Sequence, residues 1–253
     1  MPELILYNGD CLHVMKEIPD QSIDLIICDL PYGCLTTQRE RAINLDGCSW
    51  DIAIDLNIFW REVKRIRKNE HTPCIHFATT KFGYDLIHSN SDEFRYDLVW
   101  DKNQGVSFLQ ANKMPMRSHE MIYVFSMKGA YYQRIDEHGD FKHYKLQPQL
   151  SSSSVYNNYK VIPAKVLGDT RCSKSVINIK KEKSSDRHPT QKPIELYEWL
   201  IRRYCPAGGT VLDPTFGSGN SVFTAYSLGY NAIGIEKDEG FFTKAEERMN
   251  ALP

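Results

Sequence analysis

The sequence predicts an α/β fold built on a mostly parallel sheet, and three observations carry that expectation. Short apolar runs recur along the chain, and segments of helical period lie between many of them. Runs that are apolar throughout suit strands covered on both faces, as in a parallel sheet flanked by helices. The runs are Leu4 to Tyr7, Ile23 to Cys28, Cys74 to Phe77, Tyr96 to Trp100, Met121 to Phe125, Thr210 to Leu212 and Ala232 to Ile235. Among the helical segments, Leu56, Phe59, Trp60, Val63 and Ile66 form one apolar face. Ile194, Tyr197, Leu200, Ile201 and Tyr204 form another, with Thr190 as its cap and Pro193 near its first turn. No helical segment separates Tyr96–Trp100 from Met121–Phe125, so part of the sheet is expected to be antiparallel.

A chain of 253 residues buries a core without disulfide or metal staples. With 42% apolar and 25% charged residues and a mean hydropathy of -0.45, collagen, a wholly disordered chain and a membrane bundle are excluded. The seven cysteines are odd in number and no two are spaced as C-x-x-C, which argues against a disulfide framework or zinc ribbon and for a reducing compartment. Met1 to Asp10 has neither a basic nor an apolar leader region, so a cytoplasmic protein that meets no membrane is expected.

The net charge of -1 announces no nucleic-acid partner, but its distribution does. From Tyr131 to Lys183 the periodicity fails, and ten basic residues face five acidic ones, leaving this segment at +5 and the remainder at -6. Tyr131, Tyr132, Tyr144, Tyr156 and Tyr159 are interleaved with those charges, a mixture suited to phosphate and base contact.

Two motifs carry chemistry. Asp213-Pro214-Thr215-Phe216-Gly217-Ser218-Gly219-Asn220 follows one strand and precedes a helical segment, and glycines at such a turn let a ligand approach the backbone. Glu236 ends the next strand, where an acidic side chain can accept ribose hydroxyls. A dinucleotide loop would carry a third glycine where Val222 stands, so a nucleoside ligand without pyrophosphate, of which S-adenosylmethionine is the common one, fits better. Asp29-Leu30-Pro31-Tyr32-Gly33 follows the Ile23 to Cys28 strand. There Asp29 and the carbonyl of Leu30 or Pro31 can accept the two hydrogens of a planar NH2 group while Tyr32 stacks on its ring.

With His188 to Pro193, Asn8 to Cys11, Cys48 to Asp51, Trp100 to Lys102 and His119 to Phe125 in order along the chain, these motifs resemble the amino-group DNA methyltransferases of the β arrangement. The D-L-P-Y-G spelling is similar to that of the small phage-type adenine methyltransferases. The resemblance implies a Rossmann-like, S-adenosylmethionine-dependent methyltransferase fold acting on double-stranded DNA, with a homodimer as a further expectation and no metal. It implies a catalytic part in 1–130, a target-recognition insert in 131–185 and a cofactor-binding part in 186–253. Asp29, Pro31 and Tyr32 would form the catalytic set. The cofactor set would be Asp10 and Cys11 at the adenine, Glu236 at the ribose, and Lys192, Asp213, Phe216, Gly217, Ser218 and Gly219 around the methionine end, with Asp29 beside them. Asn220 departs from the family's usual threonine and leaves a side-chain contact there open. The reaction expected is transfer to the N6 of a flipped adenine, as part of restriction-modification, with N4 of cytosine as the alternative and a non-catalytic DNA-binding relative as a different class.

Other chemistries fit less well. Cys74 starts a strand without the Glu-Asn-Val that a carbon-5 cytosine methyltransferase would show downstream. His71, Cys74 and His76 offer only two residues on one strand face, short of a metal set. The basic run Arg61 to Lys68 is expected on the solvated side of its helix.

Overall fold

The computed structural model describes residues 2–31, 53–106, 108–138, 170–181 and 191–252. In chain order the elements are β1 (Leu4–Asn8), α1 (Cys11–Val14), β2 (Leu25–Cys28), α2 (Leu56–Ile66), β3 (Cys74–Ala78), α3 (Thr80–Ser89), β4 (Phe94–Val106) and β5 (Arg117–Phe125). They continue with β6 (Glu137–His138), β7 (Thr170–Arg171), β8 (Val176–Asn178), α4 (Ile194–Tyr204), β9 (Thr210–Asp213), α5 (Asn220–Ser227), β10 (Asn231–Glu236) and α6 (Glu239–Asn250). Each of the seven apolar runs forms a strand.

Eight strands form one sheet in the order β1-β10-β9-β2-β3-β5-β4-β8. The first five are mutually parallel, β5 runs against both β3 and β4, and β8 is parallel to β4. This is a mixed, mostly parallel Rossmann-like sheet. Alternation along each strand divides the core in two. Leu25, Ile27, Ile75 and Phe77 pack under α4 and α5, while Ile26, Cys28 and Cys74 pack under α2 and α3. On α2, Phe59, Trp60, Val63 and Ile66 are all buried, and each such side chain contributes roughly 1.5–3 kcal/mol. Asp55 opens that helix by accepting the Asn57 and Ile58 amides at 2.9 and 3.2 Å.

The basic side of α2 is less solvated than its sequence suggests. Arg65 donates to the carbonyls of Met15 and Ile18 at 2.6 and 2.8 Å, and Arg67 pairs with Glu93 at 2.9 Å. Those cations clamp the helix to neighbouring loops. At α4 the N-cap is Pro193; the cap expected at Thr190 lies outside the described residues.

The chain divides into two compact units. Arg134–Lys174 forms a compact unit of its own, and Met1–Gln133 with Ser175–Pro253 forms the other. Within the smaller unit β6 pairs antiparallel with β7; 139–169, with Tyr144, Tyr156 and Tyr159, lies outside the described residues. Residues just after that unit join the main sheet through β8, where Ile177 and Ile179 are buried and the Trp100 indole donates to the Ile179 carbonyl at 2.8 Å. Tyr131 and Tyr132 belong to the larger unit too. The Tyr131 amide donates to the His71 carbonyl at 2.8 Å, and the Tyr132 ring lies 5.5 Å from that of Tyr204.

Parallel pairing brings the carboxyl ends of β1, β10, β9 and β2 to one edge, followed in sequence by Asp10, Lys237, Pro214 and Asp29. Gly234 in β10 sets the spacing there. A Cβ at this position would come 2.6 Å from the Phe216 ring and 3.1 Å from Leu6. Gly234→Ala is therefore expected to displace Phe216 and lower stability by about 1–3 kcal/mol, measured by urea unfolding. An unchanged midpoint would mean that the ring has room to move.

Candidate active site

The catalytic candidate Asp29 sits immediately beyond β2, where the strand ends and a proline two residues on prevents a regular continuation. Its Oδ2 accepts from Lys192 Nζ at 2.5 Å. Lys192 is only 4% exposed, and its ammonium also lies 3.4 Å from Glu120 Oε2. Glu120 in turn pairs with Lys102 across the β4–β5 hairpin. The four side chains alternate in sign: Asp29, Lys192, Glu120, Lys102.

Their titration follows from that alternation. Burial would raise the Glu120 carboxyl, but Lys192 and Lys102 outweigh it and hold the group down at about 2. Burial would lower the Lys192 ammonium, but Asp29 and Glu120 outweigh it and raise it. Lys102, with the single partner Glu120 opposing its burial, is lowered. Lys192 is thus held as a cation against Asp29.

The glycine loop is built beside this row. Asp213 is buried at the end of β9; its Oδ1 accepts the Thr215 amide at 3.0 Å and its Oδ2 the Ser221 hydroxyl at 2.5 Å. Asp213 therefore pins both limbs of the loop. Thr215 Oγ1 donates to the Asp29 carbonyl at 3.3 Å, joining the loop to the Asp29 turn. Gly217 and Gly219 have φ of 53° and 78°, left-handed values that cost a residue with Cβ. A Cβ on Gly219 would also meet the Phe223 ring at 2.8 Å. Gly219 leads into α5 without a side-chain cap, so the first amides of that helix are left for other acceptors.

Glu236, at the end of β10, accepts the Gly217 amide at 2.8 Å and the Asp238 amide at 2.7 Å, one on each oxygen. Burial raises its carboxyl against those two hydrogen bonds. Each oxygen keeps a second lone pair for a hydroxyl donor. Asp10 caps α1 through the Leu12 amide at 3.0 Å and pairs with Lys237 at 3.1 Å, and Cys11 beside it is buried.

Of the site residues expected from sequence, Asp29 and Lys192 touch, Gly217 and Glu236 touch, and Asp213 is linked to Asp29 through Thr215. Pro31 follows them at the same turn, and Tyr32 lies outside the described residues. Lys192 faces the Asp29 carboxylate, a placement that the expectation of a methionine-end contact did not include.

Sequence reasoning missed three contributors. Glu120 and Lys102 lay within segments noted only for family likeness, Glu120 just ahead of the apolar Met121 to Phe125 run. Asn220 donates to the Lys192 carbonyl at 3.0 Å and accepts from Arg248 at 3.3 Å, so the residue that departs from the family's usual choice fastens Lys192 to α5.

Behind Asp29, Cys28 brings a third ligand-type atom to Cys74 and His76, all within 4.8 Å. The His76 ring is packed among Phe59, Trp60 and Phe125 at 5.2–5.6 Å, and its Nδ1 finds no partner among the described residues. A zinc-bound histidine ordinarily donates its second ring nitrogen, so this trio fits core packing better than a metal centre.

Comparison with known proteins places the chain among DNA methylases. A DNA methylase family model covering N6 and N4 enzymes matches residues 23–247. The chain is 28% identical over 263 aligned positions to the type II methyltransferase M.HinfI of Haemophilus influenzae, spanning 98% of this chain and 68% of that protein. It is 23% identical to the type II methyltransferase M.ScaI of Streptomyces caespitosus, spanning 98% and 82%. Among solved structures, the cytosine-N4-specific PvuII DNA methyltransferase superposes with a TM-score of 0.68 at 16% identity, covering 100% of this chain and 89% of that one. The M1.HpyAVI-SAM complex superposes with a TM-score of 0.61 at 18% identity, covering 98% and 100%.

Two substitutions test the electrostatics. Glu120→Gln removes the carboxylate between two buried ammonium groups and is expected to cost about 3 kcal/mol of stability in denaturant unfolding; a loss under about 0.5 kcal/mol would deny the pairing. Burial raises Asp213 from 3.8 to about 7, so the folded state holds this proton more tightly than the unfolded chain does. The associated stabilisation is complete below about pH 4 and lost as pH rises through about 7. Asp213→Asn mimics the neutral form, so the variant's Tm relative to the native protein should climb from pH 4 to 7 and then level off. A pH-independent difference would contradict the raised value.

Proposed function

The chain belongs to the N6/N4 DNA methylase family, whose model spans residues 23–247, and on that premise we propose that it is a site-specific methyltransferase acting on the N6 amino group of adenine in duplex DNA, with S-adenosylmethionine as donor. The observation that carries this reading is the meeting of Asp29, held by Lys192, with the glycine loop at one sheet edge.

The chain's residues fit that donor. The left-handed glycines open the backbone, and Glu236 offers acceptors for a ribose. When bound, S-adenosylmethionine supplies an electrophilic sulfonium methyl. Asp10, Cys11, Phe216, Gly217, Ser218, Gly219 and Glu236 would hold it, with Asp213 shaping the loop from beneath.

What the protein must then do is prepare a poor nucleophile. The lone pair of an aromatic amino nitrogen is delocalised into the ring, so alignment and hydrogen bonding that favour a pyramidal nitrogen dominate catalysis. Asp29 accepts one amino hydrogen, a backbone carbonyl at Leu30 or Pro31 accepts the other, and Tyr32 stacks on the ring. As nitrogen gains the methyl it loses a proton, and Asp29 is its first acceptor. Lys192, kept charged by two carboxylates, orients Asp29. The target atom is inaccessible in a paired duplex, so the base must be flipped out.

Support for adenine rests on the D-L-P-Y-G spelling. Cytosine N4 offers the same ring amino group and is the second reading. The type II naming of M.HinfI and M.ScaI supports a place in restriction-modification.

Incubation of amplified, unmethylated duplex DNA with the protein and S-adenosylmethionine, followed by nucleoside mass spectrometry, decides the base. N6-methyladenine is expected, N4-methylcytosine would shift the substrate, and no methylated nucleoside would reject the activity. Asp29→Ala should lower the methylation rate at least ~1,000-fold with donor affinity within about threefold; a native rate would remove Asp29 from the mechanism.

A further inference from the structure

The β4–β5 hairpin outreaches the rest of the sheet at the catalytic edge. Ala78, the last residue of β3, pairs with Met121, so Arg117 to Glu120 and the matching end of β4 continue past β3 by roughly 14 Å at ~3.4 Å per residue. Lys102 and Glu120 at its base belong to the charged row that reaches Asp29. The hairpin therefore rises directly from the site.

Its tip is apolar and uncovered. Phe108 and Leu109, in a short 3-10 turn, are 75% and 87% exposed, and Met114 and Met116 are 54% and 42% exposed. A Cβ at Gly105 would lie 2.8 Å from the Met116 side chain, so Met116 folds back over the hairpin and supports the turn. Lys113 is the charged residue of the 108–116 stretch, and it is exposed. An exposed apolar cluster of this kind marks an interaction site.

We propose that Phe108 and Leu109 form a wedge that enters the duplex beside the target base and occupies the space that the base vacates, with Lys113 against the phosphate backbone. The inference rests on the DNA-methylation reading above. Three observations favour DNA as the occupant: the tip overhangs the edge that holds Asp29, the charge that the 108–116 stretch carries is positive, and chemistry at a ring amino group requires one base to leave the stack. Apolar side chains inserted between base steps unstack them, and their packing against the neighbouring bases offsets the cost of unstacking. A second copy of this chain is the competing occupant.

The test compares the native protein with a Phe108→Ala, Leu109→Ala double variant, using amplified unmethylated duplex DNA and the same DNA heat-denatured, with radiolabelled S-adenosylmethionine. On duplex the variant is expected to lose at least ~10-fold in kcat, while donor binding and thermal stability stay native and the loss on denatured DNA stays under about threefold. Phe108→Tyr with Leu109→Met should restore most of the duplex rate. A duplex rate within twofold of native, an equal loss on both substrates, or a native dimer that the double variant dissociates in sedimentation would each overturn the wedge. A native protein that methylates neither DNA form would instead reject the activity itself, and the wedge with it, leaving the two failures distinguishable.

Discussion

The fixed charge behind Asp29, the carboxylate proposed to face the target amine, is Lys192. Its ammonium sits 2.5 Å from Asp29 and 3.4 Å from Glu120, nearly closed off from water. An isolated buried ammonium would shed its proton; two carboxylates prevent that. Lys102 on the far side keeps Glu120 ionised in turn. The rest of the site is arranged to hold this row. Asn220 grips the Lys192 backbone, Thr215 grips the Asp29 backbone, and the β4–β5 pairing brings Glu120 opposite Trp100 with Lys102 two residues on.

The sheet explains how such distant residues meet. Asp29 and Lys192 are 163 positions apart, yet both lie at the carboxyl edge, because β2 is paired to β9, a strand from the last quarter of the chain. Parallel pairing also aligns the Asp213 loop and Glu236 without any strand reversing direction. The antiparallel β5 contributes from the other side: its amino-terminal end reaches the edge that the parallel strands reach with their carboxyl ends. One sheet thus supplies both the glycine loop and the charged row.

Much of this was legible in the sequence. Strands buried on both faces carry an unbroken apolar signal, and the glycines and carboxylates stand where such strands end, so the edge could be located from residues 23–29 and 210–236. The antiparallel pair was legible from the absence of a helical segment between its strands. What escaped was pairwise. Nothing in the local spelling of Lys102, Glu120 or Lys192 says that they meet, since their contact depends on the hairpin register, which shifts between Asp101 and Val106. β8 escaped for a related reason: three residues with one buried side chain carry too little periodicity to stand out from the polar segment before them. The side-chain contact left open at Asn220 is settled by the fold, where its amide spans to the Lys192 carbonyl.

The two assignments of Lys192, to the catalytic carboxylate or to the methionine end of the donor, separate in one measurement. Lys192→Met is followed by single-turnover methyl transfer to duplex DNA at saturating donor, with donor affinity determined on the same folded protein. If Lys192 acts on Asp29, the rate falls at least ~100-fold and donor affinity stays within about threefold. A native rate at saturating donor together with a large loss of donor affinity would contradict it and return Lys192 to the cofactor.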